Sequence, residues 1–129
     1  MSDYYIHKVI DGDFDLVIAK VIEALKVEGF GVLTDIDVRR TVNEKLGINF
    51  RPYRILGACN PPLAHEALTA DSKIGVMLPC NVIVQDLGGG RIEVAAINPL
   101  KAMEPVDNLR LTAIAGLVAG RLTRVIGAL

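Results

Sequence analysis

Two short segments of the chain set a thiol beside an amide, Ala58-Cys59-Asn60-Pro61 and Pro79-Cys80-Asn81-Val82. A cysteine acts as nucleophile, redox partner or soft-metal ligand through its thiolate, so its surroundings decide its chemistry. Cys59 stands directly before Asn60-Pro61-Pro62, a capping residue followed by proline at the first helical position. It therefore ends a strand and precedes a helix N-terminus, whose unpaired N–H groups and positive dipole end favour a thiolate. The competing reading is a small buried hydrophobe, the usual fate of a free cysteine. Cys80 shares a face with Val82 and Val84 by period-two alternation, which reads as core. Asn60 and Asn81 offer amides for hydrogen bonding and are equally good as caps and turn formers. If the two strands are neighbours, the two Cys-Asn units meet at one site.

Other chemistry is sparse. Met77, Met103 and His65 could join the thiols around a soft metal such as copper(I) or zinc. Core packing accounts for the methionines and a solvated helix for His65, so no metal ligand set and no cofactor is assigned. Neither Cys-x-x-Cys nor His-x-x-x-His occurs. Gly88-Gly89-Gly90 lacks the Lys-Ser/Thr and following helix of a phosphate loop and reads as a hairpin turn. Arg110, Arg121 and Arg124 fall on one side of the last helical stretch and read as a solvated face. His7 and His65 are the only histidines, and no Ser-His-Asp order or acid/base carboxylate pair stands out.

These residues must be held by elements that the hydrophobic pattern outlines. Tyr4 to Ile10 reads as a strand, stopped by Asp11-Gly12-Asp13. A helix follows with Phe14, Val17, Ile18, Val21, Ile22 and Leu25 on one face and Gly29 at its end. Phe30 to Leu33 reads as a second strand. Asp35 or Asp37 caps a second helix carrying Val38, Val42 and Leu46, ended by Gly47. Pro52 to Cys59 is a third strand, and Leu63, Ala67 and Leu68 face one side of the helix after it. Ser72 to Leu78 is ambiguous between helix and strand. Cys80 to Leu87 and Arg91 to Ile97 form a β-hairpin. From Pro105 the pattern is helical to the end, with a stripe through Leu111, Ala115, Val118, Leu122, Val125 and Leu129 that needs a sheet to cover. The order β-α-β-α-β-α-β-β-α with a hairpin points to the α+β class in a single domain over residues 1–129.

Composition narrows the partners. The chain of 129 residues is 51% hydrophobic with a net charge of -1, and it contains three Phe, three Tyr and no Trp. The core must be aliphatic. Acidic and basic residues are well mixed and form no basic stripe, which argues against nucleic acid. The longest apolar run, Thr112 to Gly120, falls short of the roughly 18 residues of a membrane span, which argues against a membrane. No secretory signal is read at the N-terminus, so a cytoplasmic location with reduced thiols is expected.

The segments Gly29-Phe30-Gly31-Val32-Leu33, Tyr53 to Pro61, Leu78-Pro79-Cys80-Asn81-Val82 and Asn98-Pro99 together resemble the bacterial and archaeal family called domain of unknown function 302, from about Phe14 to Met103. The resemblance implies a curved, mainly antiparallel sheet of about five strands with a long C-terminal helix packed across it, similar to the TATA-binding-protein and helix-grip group. It also implies a homodimer, and it implies no reaction. Two function classes follow. One is a non-catalytic binding module or structural homodimer with a small-molecule ligand or soft-metal site near Cys59 and Cys80. The other is a thiol redox enzyme or sensor using Cys59, with Cys80 as its resolving partner.

Overall fold

In the computed structural model, which describes residues 3–129, five strands form one sheet in the order β1-β5-β4-β3-β2, every neighbouring pair antiparallel. The strands are β1 (Tyr5–Asp11), β2 (Gly31–Asp37), β3 (Tyr53–Cys59), β4 (Cys80–Gly88) and β5 (Arg91–Ile97). The helices are α1 (Phe14–Val27), α2 (Val38–Leu46), α3 (Pro61–Ala70), α4 (Pro99–Ala102) and α5 (Leu109–Gly127), with a 3-10 helix over Ser72–Met77. The α+β class, the hairpin and the long C-terminal helix over the sheet are as the sequence predicts.

Strand register builds the core. Leu56 pairs with Val82, Val82 with Ala96 and Ala96 with Ile6, so one apolar row crosses four strands on a single face. Val84 and Val94 add a second row. Against this face α1 sets Val17, Ile18, Val21 and Leu25, and α5 sets Val118, Leu122, Val125 and Ile126. Fully burying one such side chain contributes about 1.5–3 kcal/mol, so these positions dominate stability. The last strand-borne tie is polar: Lys8 Nζ donates to the carbonyls of Gly127 and Leu129 at 3.4 and 3.1 Å. A cation at the carbonyl end of α5 also suits the helix dipole.

Several boundaries differ from the sequence reading, each for a local reason. Strand β2 runs on to Asp37, with a register shift between Val32 and Thr34. Asp37, not Asp35, caps α2, its carboxylate accepting from the Arg40 amide. Asp35 is instead held by Arg54 through two hydrogen bonds of 2.8 and 2.7 Å. That bidentate grip holds the Asp35 carboxyl below its ordinary range, with partial burial opposing it. Helix α2 buries none of its residues fully; Val38 and Val42 are half-buried and Leu46 is 67% exposed, so the apolar face expected there is only partly covered. The last helix begins at Leu109 rather than Pro105. Pro99 opens the short α4 and Asn108 caps α5, accepting from the amides of Arg110 and Leu111.

Gly57 is fixed by space. A Cβ there would overlap Thr34 Oγ1 and come within 2.9 Å of Pro79 Cγ. These neighbours fold over the strand just where β3 approaches Cys59. Gly57→Ala is therefore expected to destabilise the protein by about 1–3 kcal/mol, an overpacking cost. Thr34→Ala in the same chain should recover part of that loss, because the nearest overlap is with the Thr34 hydroxyl. Urea unfolding of the two variants checks this, and an unchanged midpoint for Gly57→Ala would contradict it.

Candidate functional site

The two Cys-Asn segments lie on neighbouring strands. Ala58 pairs with Cys80 and Gly57 with Asn81. Cys59 is thus one residue past the partner of Cys80, which keeps their Cα atoms within about 9 Å. Both thiols are free. Cys80 belongs to the helix-covered face with Val82, while Cys59 closes β3 immediately before α3.

Both border one cavity of about 350 Å³. It lies between α3, α5 and the ends of β3 and β4, under the main core and beside a smaller apolar cluster of Ala67, Ile74 and Leu111. Its existence follows from small side chains. Ala58, Ala64, Ala67 and Ala115 stand on its walls, and Pro79 and Pro99 complete them. Where helices pack with larger residues such space closes to crystal-like density. Phe30, Leu63 and Val118 supply larger apolar surface around the same volume.

Asn60 is, with Thr34, a polar member of this wall and is only 6% exposed. Its Oδ1 accepts from the Leu63 amide at 3.3 Å, capping α3. Its Nδ2 lies beside Gly29, where an added Cβ would meet Asn60 Nδ2 at 3.0 Å and Arg121 Nη1 at 3.1 Å. Gly29 ends α1 with φ +85°, its amide bonding back to Lys26 while the Phe30 amide reaches Leu25. Arg121 Nη1 donates to the Glu28 carbonyl at 3.1 Å, and Arg124 Nε to the Glu28 carboxylate at 2.9 Å. The sequence reading placed Arg121 and Arg124 on a solvated face with Arg110. Arg124 does stay exposed on that face while Arg121 is half-buried, and the pair clamps the end of α1 onto α5.

Burial pushes the Cys80 thiol up to about 11, with neighbouring Cys59 adding to the rise. A thiol in that environment stays protonated at neutral pH and is a poor nucleophile or ligand. Asn81 parts from the other three candidates. It is exposed and borders a different, shallower concavity of about 440 Å³ on the opposite sheet face, with Tyr5, Tyr53 and Ile83. On that face Gln85 Nε2 donates to Glu93 at 2.8 Å and His7 Nδ1 lies 2.8 Å from the same carboxylate, a chain that residues so far apart in sequence do not announce. Of the soft-metal candidates Met103 borders the cavity, while Met77 and His65 do not. Among the described residues no group of three or more His, Cys, Asp or Glu side chains is placed to hold a metal ion. The cavity-lining residues missed by sequence reasoning, chiefly Ala64 and Ala115, carry no signal except smallness within an apolar helical stripe.

A five-stranded antiparallel sheet with its two long helices on one face defines an α+β protein with an apolar pocket at the strand ends. The chain belongs to the family described as domain of unknown function DUF302, which matches residues 6–129. The crystal structure of an uncharacterized conserved DUF302 protein from Bacillus stearothermophilus is similar over 98% of each chain, with 28% sequence identity and a TM-score of 0.89. No curated protein matches the chain. Among the described residues no helix is long and apolar enough to cross a membrane.

The raised Cys80 value sets a pH signature. A thiol kept neutral by folding stabilises the protein fully below its unfolded value of 9.0, and that contribution is lost as pH climbs towards about 11. Stability should fall by about 2–3 kcal/mol over this window, and Cys80→Ala should remove that part of the slope. Denaturant titrations from pH 8 to pH 11 read it, and a wild-type slope identical to the variant's would refute it.

Proposed function

We propose that this protein is a non-catalytic binding module that takes an apolar small molecule into the cavity between α3 and α5. The observation that carries this reading is the cavity itself. About 350 Å³ of space is walled almost wholly by aliphatic side chains, within the size range of small-molecule sites. The pocket opens to solvent, and an apolar guest that covers its walls takes their surface out of water at roughly 25 cal/mol for each Å². The protonated, buried Cys80 supports a wall rather than a resolving thiol, so the redox alternative is the weaker reading. Two unpaired thiols so close together fit a reducing compartment such as the cytoplasm.

A homodimer is a second, compatible reading. What supports it is the sheet face opposite the helices, where Ile55, Ile83 and Ala95 form an apolar row that is only partly buried and Ile36 is 48% exposed. The small residues of α5 lend it less, because Ala115 and Ala119 are buried within the monomer.

Two measurements test these readings. The neutral fluorophore N-phenyl-1-naphthylamine should bind the wild-type chain, and Ala67→Leu, which fills the cavity, should weaken it about ten-fold while leaving or raising the melting temperature. No binding by the wild type, or equal binding by both, would sink the cavity reading. Sedimentation equilibrium should give twice the 13.9 kDa of the chain, reverting to monomer in Ile83→Glu. A wild-type monomer at micromolar concentration ends the dimer reading alone.

A further inference from the structure

We propose a second binding site, for a flat aromatic amine, in the concavity on the sheet face opposite the helices, where Glu93 receives the ammonium between walls of tyrosine. The sheet register builds it. On this face Tyr5 pairs with Ile97, His7 with Ala95 and Ala95 with Ile83, and Glu93 with Gln85 and Gln85 with Tyr53. Ala95 at the centre carries only a methyl group, and the larger side chains around it leave a trough of about 440 Å³. All three tyrosines of the chain line this trough, Tyr4 and Tyr5 on the β1 side and Tyr53 on the β3 side. The rings of Tyr4, Tyr5 and His7 meet edge to face at 5.0 and 5.1 Å, so they brace one another into a wall. Tyr53 leans on Phe50, with ring centres 6.1 Å apart. None of the three tyrosines belongs to the buried core, so packing within the fold does not explain why they gather here.

The charge of the trough selects the head group. Glu93 is the one charged residue of its lining, and no Lys or Arg stands there. The Glu93 carboxylate is 20% exposed and is held at both oxygens. Gln85 Nε2 donates to Oε1 at 2.8 Å, and His7 Nδ1 lies 2.8 Å from Oε2. Each oxygen keeps a further acceptor position. Having spent its Nε2 on Glu93, Gln85 presents its carbonyl oxygen as another acceptor at the same end. An ammonium group has three donors and no acceptor, so it matches this end in both charge and hydrogen bonding. Tyrosine ring faces attract a cation as well. An anionic guest would meet Glu93 as a like charge. From Glu93 to Ile97 the strand runs about 13 Å, room for a two-ring body lying over Ala95 and Ile83. This site is separate from the cavity between α3 and α5, which lies on the other side of the sheet. It occupies the face on which a second copy would dock, so an amine and a second copy exclude one another there.

The test separates the charge from the rings. The whole chain, with its tyrosine rings isotopically labelled, is titrated by NMR with tryptamine and with tryptophol, which has a hydroxyl in place of the ammonium. Every tyrosine of the chain lines the trough, so the ring signals report the site directly. Tryptamine should shift them and bind about ten-fold more tightly than tryptophol. Glu93→Gln removes the charge yet keeps an acceptor for Gln85, and should make the two compounds bind equally. Ala95→Leu fills the trough and should weaken both compounds. Ala67→Leu, in the other cavity, should leave both unchanged. Unmoved tyrosine signals at millimolar tryptamine overturn the site, whether the chain is then monomer or dimer. Equal affinity for the two compounds in the wild type, or a preference that survives Glu93→Gln, overturns it too. So does binding that is lost in Ala67→Leu and kept in Ala95→Leu.

Discussion

The molecule depends on one burial event, the covering of the row Leu56–Val82–Ala96–Ile6 by α1 and α5. Backbone pairing alone would leave a sheet with an aliphatic face in water, and aliphatic area removed from water is the main favourable contribution to folding. The scarcity of aromatic residues sharpens this requirement. Without large rings, Val, Ile and Leu must fill the space, and their close interdigitation fixes how α5 lies against the sheet. Everything at the strand ends inherits that placement.

The cavity is what remains where this packing stops. Helix α3 starts directly after β3, so Asn60 is committed both as the end of a strand connection and as a helix cap. Its position brings α3 alongside α5, but alanines occupy the facing surfaces where leucines would close the gap. A protein under selection for stability alone gains from larger residues at such positions. Their absence is the physical ground for reading the space as a site.

Much of this was legible in the residues. Period-two and helical spacing give the strands, the long helix and the hairpin at Gly88-Gly89-Gly90, whose positive φ angles suit glycine. The neighbourhood of Cys59 and Cys80 follows from two similar segments at element boundaries. What the residues concealed is of another kind. The Asp35–Arg54 and His7–Glu93 contacts depend on register between strands distant in sequence. Asn81 faces away from Asn60 because side chains alternate across a strand, and the alternation places it with Gly57 rather than with Cys80. A void is harder still to foresee, since it is made by what side chains lack. Arg121 reads as solvated in any helical wheel, and only the meeting of α1 with α5 gives it a carbonyl to hold.

The strand order carries a consequence for synthesis. The first strand, β1, finds its only partner in β5, the last strand to be made. A nascent chain leaves the ribosome at about 5–20 residues per second, so β1 waits several seconds with its hydrogen-bonding edge unmatched. Helix α1 and the β2–β3–β4 ladder can assemble meanwhile, but the sheet is a three-stranded fragment until Arg91–Ile97 emerges. Over that interval the exposed Tyr5–Asp11 segment is open to pairing with another chain, and a helper that shields a short aliphatic strand would find its binding site there.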